Sequence, residues 1–388
     1  MKKIKIAIIL GTRPEVIKLA PIIQNFKKYK KNITTYIIAT AQHRQMLDST
    51  LKTFSIKTQY DLNIMEENQT LSNIVSKTSS LLEQIFSKIK PDLILVQGDT
   101  TTAFIGSLIG FYHKIKIGHI EAGLRTYEKY FPFPEEINRQ IISIISDFHF
   151  TPTKKAAQNL LKEGIKKEKI FITGNTIIDA LHLIVEKKYK FKEKVLNKID
   201  YENKKIILVT THRRENFGNG LKNICLALEN ISNKNKNVEI VFPVHLNPNI
   251  TKYVNENLSS ISTIHLTSPL CYKDLINVMK KSYIILTDSG GIQEEAPELC
   301  KPVLVLRDVT ERPEGVEMGV VKLVGTNKEK IIKETNKLLK NKNAYNKMIK
   351  KVNPYGDGKA SQRIIDIILQ KFNIIKKRKT KDWKSFLY

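Results

Sequence analysis

Short runs of Ile, Leu and Val alternate with longer stretches of helical periodicity along nearly the whole chain, and this rhythm restricts the fold more than any other feature. It is the pattern of βαβ units and parallel sheets. Strands are predicted at residues 4–10, 35–39, 93–96, 115–119 and 170–173, with helical stretches such as 15–28, 71–88 and 135–145 between them. Several of these strands are almost continuously apolar, as expected where helices cover both faces of a sheet. A charged segment at 187–205 interrupts the rhythm, which restarts with strands at 206–210, 238–242, 264–266, 284–287 and 302–306. Helices are predicted between these at 219–230, 273–280 and 328–339. The expected architecture is therefore α/β, with two Rossmann-like, doubly wound parallel-sheet domains at 1–190 and 191–370 and a basic tail at 371–388. The last helical stretch, 359–371, suits either domain.

Length agrees, since 388 residues divide naturally into two domains of ~100–200 residues each. With 41% hydrophobic and 27% charged residues the chain is globular, and no apolar run reaches the ~20 residues of a membrane span. The Lys-rich start is not read as a signal peptide, because its apolar stretch ends at Gly11 and Arg13 and Glu15 follow at once. Cys225, Cys271 and Cys300 form no CxxC pair and no disulfide framework, so a reducing cytoplasm is expected.

The net charge of +27 admits nucleic acid, an anionic membrane or an acidic small substrate as partner. Lysines, however, are scattered through nearly every helix in company with Ile and Asn, which is a compositional bias and not a binding patch. No RNP1-type motif, zinc finger or basic region running into heptads is present, so no nucleic-acid partner is expected. The densest run, Lys376, Lys377, Arg378, Lys379 and Lys381, reads as a solvated tail.

Ligands of open parallel sheets bind beyond the carboxyl ends of the strands, and there the polar residues gather. Gly11-Thr-Arg-Pro-Glu, Gln97-Gly-Asp-Thr, His119-Ile-Glu, Thr211-His-Arg and Asp288-Ser-Gly-Gly each follow a predicted strand. No GxGxxG opens a helix, since Gly218-Asn-Gly220 lacks its third glycine, so no dinucleotide cofactor is expected. Gly356-Asp-Gly358-Lys359-Ala360 has Asn353 and Ala360 where a P-loop needs Gly and Ser or Thr. Ser289, Gly290 and Gly291 between a strand and a helix would leave backbone N–H groups open to a diphosphate, with Glu294 and Glu295 in the first turn facing a ribose. Ser289 as a plain helix cap is the competing reading. Arg13 and Lys18 lie near one another at a loop-to-helix junction and could reach phosphates, or be surface charge.

Asp99, Glu121 and Glu135 supply three carboxylates near the exits of neighbouring elements, and His212 an imidazole from the second domain. Clustered acids with separated pKa values are the usual means of acid–base work near neutral pH. Each has a simpler alternative: Asp99 as a cap of the Thr-rich helix start, Glu135 and Glu136 as partners of a helix dipole. His119 and Glu121 are the sole close pair of possible metal ligands, so no metal is expected.

Longer motifs then appear in order. They include Gly11-Thr-Arg-Pro-Glu-x-Ile-Lys, Ala41-Gln-His-Arg, Gly98-Asp-Thr-Thr-Thr, His119-Ile-Glu-Ala-Gly-Leu-Arg-Thr and Pro134-Glu-Glu-Ile-Asn-Arg. Thr173-Gly-Asn-Thr, His212-Arg-Arg-Glu-Asn, Pro243-Val-His-Leu-Asn-Pro, Thr287-Asp-Ser-Gly-Gly-Ile-Gln-Glu-Glu-Ala-Pro, Thr310-Glu-Arg-Pro-Glu and Asn353-Pro-Tyr-Gly-Asp-Gly complete the series. Over about residues 3–370 the chain resembles the bacterial non-hydrolysing UDP-N-acetylglucosamine 2-epimerases.

The resemblance implies a GT-B architecture with the site in the cleft between two Rossmann-like domains. It implies interconversion of UDP-N-acetylglucosamine and UDP-N-acetylmannosamine through 2-acetamidoglucal, with no redox cofactor and no metal, to supply cell-surface polysaccharide. By the same resemblance Asp99, Glu121 and Glu135 are the acid–base carboxylates, and His212 assists the departing diphosphate. Arg13, Lys18, Ser289, Gly290 and Gly291 hold phosphates, Glu295 the ribose, and Arg312 the diphosphate or sugar. Gln42, His43, Gln45, Glu136, Arg213 and His245 match positions that hold a second UDP-N-acetylglucosamine as activator, although Asn68 stands where relatives carry a basic residue. A homodimer is expected. The rivals are a hydrolysing relative that releases N-acetylmannosamine and UDP, and a GT-B glycosyltransferase, which the carboxylate cluster disfavours.

Overall fold

The computed structural model describes residues 3–40, 44–65, 69–213, 216–349 and 353–384. Among them two wholly parallel sheets form. The first contains β1 (Ile4–Leu10), β2 (Ile33–Ala39), β3 (Tyr60–Asp61), β4 (Leu93–Gln97), β5 (Lys116–Ile120), β6 (Phe148–Thr151) and β7 (Ile170–Ile172), in the order β3-β2-β1-β4-β5-β6-β7. The second contains β8 (Lys205–Thr210), β9 (Val238–Pro243), β10 (Ile264–Thr267), β11 (Ile284–Thr287), β12 (Val303–Val305) and β13 (Val321–Leu323), in the order β10-β9-β8-β11-β12-β13. Strands β3, β6 and β13 lie outside the predicted set. They are short, and β6, Phe-His-Phe-Thr, buries a histidine that no apolar pattern reveals.

The central strands are buried on both faces. Residues Ile6 through Leu10 of β1, Leu93 through Val96 of β4 and Ile206 through Val209 of β8 are essentially inaccessible, which accounts for their unbroken apolar runs. Each order reverses direction once, between β1 and β4 in the first sheet and between β8 and β11 in the second. At such switch points the loops leave in opposite directions and open a crevice. Gly11–Glu15 and Gln97–Asp99 leave the first of these positions, and Thr211–Arg213 and Asp288–Gly291 the second.

Helix starts are set locally. Thr12 and Glu15 form a reciprocal capping box at helix Arg13–Phe26, with Pro14 in its first turn. Thr100 caps helix Thr101–Tyr112 through the Ala103 N–H at 3.0 Å, so the cap is Thr100 and not Asp99.

Packing divides the chain into two units, one running to Leu183 and resuming at Tyr355, the other spanning Ile184–Pro354. The expected 191–370 domain thus ends earlier, because helix Ala360–Lys371 joins the first unit. Its N-cap, Lys359, makes no side-chain cap. Asp179 substitutes, accepting from the N–H groups of Ala360 at 3.1 Å and Ser361 at 2.8 Å and from the Ser361 hydroxyl at 2.5 Å. The basic tail is not simply solvated either. Trp383 is buried, its N–H donates to the Ile172 carbonyl at 2.9 Å, and the Thr380 N–H donates to Asp366 at 2.8 Å. Lys376, Lys377 and Lys379 point to solvent.

Candidate active site

In the first unit the candidate site is built on two adjacent strand exits. The register pairs Gln97 of β4 with Ile120 of β5, and the Gly98 N–H donates to the Ile120 carbonyl at 2.9 Å, so Asp99 and Glu121 leave side by side. Glu121 has a left-handed backbone, φ 66°, uncommon for a residue with a Cβ and a frequent sign of a functional position. Its carboxylate is buried and receives side-chain donors that include Lys18 Nζ at 2.5 Å, Asn175 Nδ2 at 3.3 Å, and Gln97 Nε2. The ammonium of Lys18 is thus directed to this carboxylate.

Asp99 is held from helix Glu135–Ile145. Arg139 pairs with its carboxylate, and Asn138 Nδ2 donates to its carbonyl at 2.9 Å. Glu135 opens that helix immediately after Pro134. Glu136, one residue on, is fully buried and accepts the N–H groups of Thr126 at 3.1 Å and Tyr127 at 3.0 Å. Burial works to raise its pKa, but these donors, Gln140 and Arg139 outweigh it, and the carboxyl is held below its ordinary value. Glu136 therefore ties down the loop that precedes Glu135. Beneath Asp99, the His119 ring meets the Gly98 carbonyl at 2.7 Å, and burial lowers its pKa to about 3, so the ring is neutral and Nε2 carries the donated proton.

Glu15 lies under the Gly11–Thr12 loop. It accepts from the N–H groups of Gly11 at 3.0 Å and Thr12 at 2.7 Å and from the hydroxyls of Thr12 at 2.7 Å and Thr100 at 2.8 Å. Burial raises its pKa to about 7 against the pull of those donors. Arg13, half-buried, is the first residue of the helix that Glu15 helps to start.

In the second unit the loops leaving β8 and β11 are joined by one buried carboxylate, Asp288. It accepts from the N–H groups of His212 at 3.0 Å and Arg213 at 3.0 Å and from Asn216 Nδ2 at 2.9 Å, while His212 Nδ1 lies 3.1 Å from its other oxygen. Asp288 is 0% exposed, whereas the His212 side chain is 47% exposed. Burial works to raise the Asp288 pKa, but His212 and the loop N–H groups prevail and hold it below the ordinary carboxylate range.

Ser289 occupies the N-cap of helix Gly290–Glu298 but makes no side-chain cap bond, so the cap reading is not realised. A Cβ at Gly290 would stand 2.6 Å from Arg312 Nη1, so the missing side chain is where that guanidinium lies. A Cβ at Gly291 would meet nothing within 4 Å, which leaves the helix start open beside it. Glu294 and Glu295 belong to the second helical turn, not the first, and both are buried. Glu294 accepts from Arg312 Nε at 2.7 Å, and Glu295 from the Tyr272 hydroxyl at 2.6 Å. Glu311 in turn receives Arg312 at 2.7 Å, Arg307 at 2.8 Å and Arg213 at 3.3 Å. Burial works against its charge, yet the guanidiniums keep it far below the ordinary carboxylate value. Three guanidiniums, Arg213, Arg307 and Arg312, thus meet the carboxylates of Glu311 and Glu294 beside the start of helix Gly290–Glu298, where backbone N–H groups favour an anion.

Of the residues matched to a second ligand, Gln42 and His43 lie outside the described residues, as do Asn68 and the side chain of Gln45. His245 is exposed and accepts the Asn247 N–H at 3.1 Å.

Comparison with known proteins gives this geometry a family. The sequence profile of the UDP-N-acetylglucosamine 2-epimerases matches residues 26–369. A UDP-N-acetylglucosamine 2-epimerase of Campylobacter jejuni is 54% identical, over 94% of this chain and 97% of that one. The chain belongs to the UDP-N-acetylglucosamine 2-epimerase family. A Bacillus subtilis family member is 51% identical, over 95% of this chain and 96% of that one. The solved 2-epimerase of Neisseria meningitidis, bound to UDP-GlcNAc, superposes with a TM-score of 0.87 at 48% identity, covering 95% of this chain and 100% of that one. The fold is accordingly GT-B-like, and the activity that of a UDP-N-acetylglucosamine 2-epimerase.

The sequence reading of this epimerase's site gives no separate role to Gln97, Arg139, Asn175 or Asp288, although Gln97 and Asp288 open two of its strand-exit motifs. Arg139 carried a usable signal, four residues after Glu135 on one helix face. Asp288 and Asn175 did not, since their partners His212 and Glu121 are remote in sequence.

Proposed function

We propose that this epimerase interconverts UDP-N-acetylglucosamine and UDP-N-acetylmannosamine without net hydrolysis, by eliminating and re-adding UDP. A carboxylate of the Asp99, Glu121 and Glu135 set takes the proton from carbon 2. The C–H electron pair forms the C1–C2 double bond of 2-acetamidoglucal, and the C1–O pair leaves with UDP. Addition of UDP with a proton delivered to the opposite face completes the inversion. His212 assists the diphosphate, and Arg13, Arg312 and the open helix start at Ser289, Gly290 and Gly291 bind it. The paired exits of Asp99 and Glu121 carry this reading, because two carboxylates in unlike surroundings suit one acid and one base. Glu121 faces an ammonium and two amides, Asp99 a guanidinium. A second UDP-N-acetylglucosamine acting as activator near Arg213 and His245, and a cytoplasmic role in supplying cell-surface polysaccharide, extend the proposal.

Product analysis separates the branches. UDP-N-acetylglucosamine incubated with the protein and no added cofactor should yield UDP-N-acetylmannosamine. Free N-acetylmannosamine with UDP as the main products would assign the hydrolysing reaction instead.

A further inference from the structure

The second unit spends a fully buried carboxylate on a half-exposed imidazole. Asp288 leaves β11, His212 leaves β8, and these strands are neighbours in the sheet, with Thr287 registered on Thr210. The register therefore places Asp288 beside His212 even though the two are remote in sequence. The Asp288 carboxylate sits at the base of the His212 loop, taking the His212 and Arg213 N–H groups and Asn216 Nδ2. A further oxygen–nitrogen contact, at 3.1 Å, reaches His212 Nδ1.

Three hydrogen-bond donors and the His212 Nδ1 contact converge on two oxygens, and all come from residues 212–216 that follow β8. Such a carboxylate does two things at once. It fixes the ring plane, because backbone and side chain of the same histidine are held by one group. It also fixes the proton, because an ionised acceptor at Nδ1 requires Nδ1 to carry hydrogen. Nε2 is then the nitrogen offered outward. A neighbouring anion stabilises the imidazolium, which lets Nε2–H donate to an oxygen that gains negative charge.

We infer that Asp288 is a positioning residue that acts through His212, presenting Nε2 to the diphosphate oxygen that leaves carbon 1 and returns to it. This rests on the reading of His212 given above. In the elimination the C1–O electron pair moves to that oxygen, and Nε2–H hydrogen-bonds or transfers its proton to it. In the return step the oxygen gives up that proton to Nε2 as the C1–O bond re-forms. No other reactant is required. The Glu311 carboxylate, by contrast, takes Arg213, Arg307 and Arg312, so it serves binding and not the tautomer.

The test is a double-mutant cycle on the full chain with turnover, UDP binding and the His212 tautomer read together. Asp288→Asn nearly preserves shape but removes the charge and offers one acceptor oxygen in place of two. It should lower kcat by about 10²-fold or more while KM stays within about threefold, the split expected for a group that acts in the transition state. Combined with His212→Asn it should cost no more than about threefold beyond the slower single variant, because residues that act as one unit are not additive. In Asp288→Asn the His212 ring, followed by nitrogen NMR, should no longer hold its proton mainly on Nδ1. Additive losses, an unchanged His212 tautomer, or a loss of UDP binding in proportion to turnover would overturn the inference, the last by making Asp288 a scaffold of the loop alone. Normal turnover in His212→Asn itself would instead sink the underlying role of His212. Slow His212→Asn beside normal Asp288→Asn would sink only the inference.

Discussion

Three carboxylates carry the chemistry in this account, and each is fixed differently. Glu121 is buried among Lys18, Gln97 and Asn175, Asp99 is paired with Arg139, and Glu135 opens a helix. Asp99→Asn, Glu121→Gln and Glu135→Gln should each lower turnover by ~10²-fold or more while UDP affinity changes little, as for loss of a general acid or base. Calorimetric UDP binding measured beside turnover checks this, and near-normal turnover with lost binding would reverse the assignment. Glu15 is a buried carboxyl with no place in the reaction, and it makes a separate prediction about stability. Its folded pKa is raised to about 7 by burial, from the ordinary 4.5 of a glutamate. A raised carboxyl contributes stability that is present below its unfolded pKa and lost as pH rises through the folded one. Glu15→Gln removes that titration, so the melting temperature of the natural protein relative to the variant should fall between about pH 4.5 and about pH 7. A difference that stays flat over the window would contradict the burial argument.

At the scale of elements, strand exits and helix starts hold the site, and these were the most legible parts of the sequence. The apolar runs of β1, β4, β8 and β11 were evident because helices cover both faces. What lay hidden were the contacts across elements: Asp179 capping a helix remote from it in sequence, Asn175 reaching Glu121, Asp288 reaching His212. Such partners are set by sheet register and return path, which no local pattern encodes. The start of helix Gly290–Glu298 offers a paired test. At Gly290 a methyl would collide with Arg312, which Glu294 and Glu311 pin in place. At Gly291 it would enter open space. Gly290→Ala should displace Arg312 and weaken UDP binding by about tenfold or more, the scale of a lost charge-assisted contact. Gly291→Ala should melt no lower than the natural protein, since alanine suits a helix better by roughly 0.5–1 kcal/mol, yet still bind UDP less tightly. Unchanged UDP affinity in both would remove the phosphate site from this helix.

For the whole molecule, two switch points each gather polar loops, one supplying carboxylates and the other a histidine beside an open helix start. The two-sheet organisation was readable from the strand rhythm. The place of the last helix was not, because its apolar face, with Ile364, Ile365 and Ile368 buried, would suit either unit, and the choice is made by Asp179, Arg363 and the Tyr355 carbonyl. The central claim is that one reaction removes and restores the hydrogen on carbon 2 while UDP departs and returns. Incubation of UDP-N-acetylglucosamine in deuterated water, followed by mass spectrometry and NMR of the intact nucleotide sugars, tests it most directly. The account predicts UDP-N-acetylmannosamine carrying deuterium at carbon 2. Unlabelled UDP-N-acetylmannosamine would contradict it.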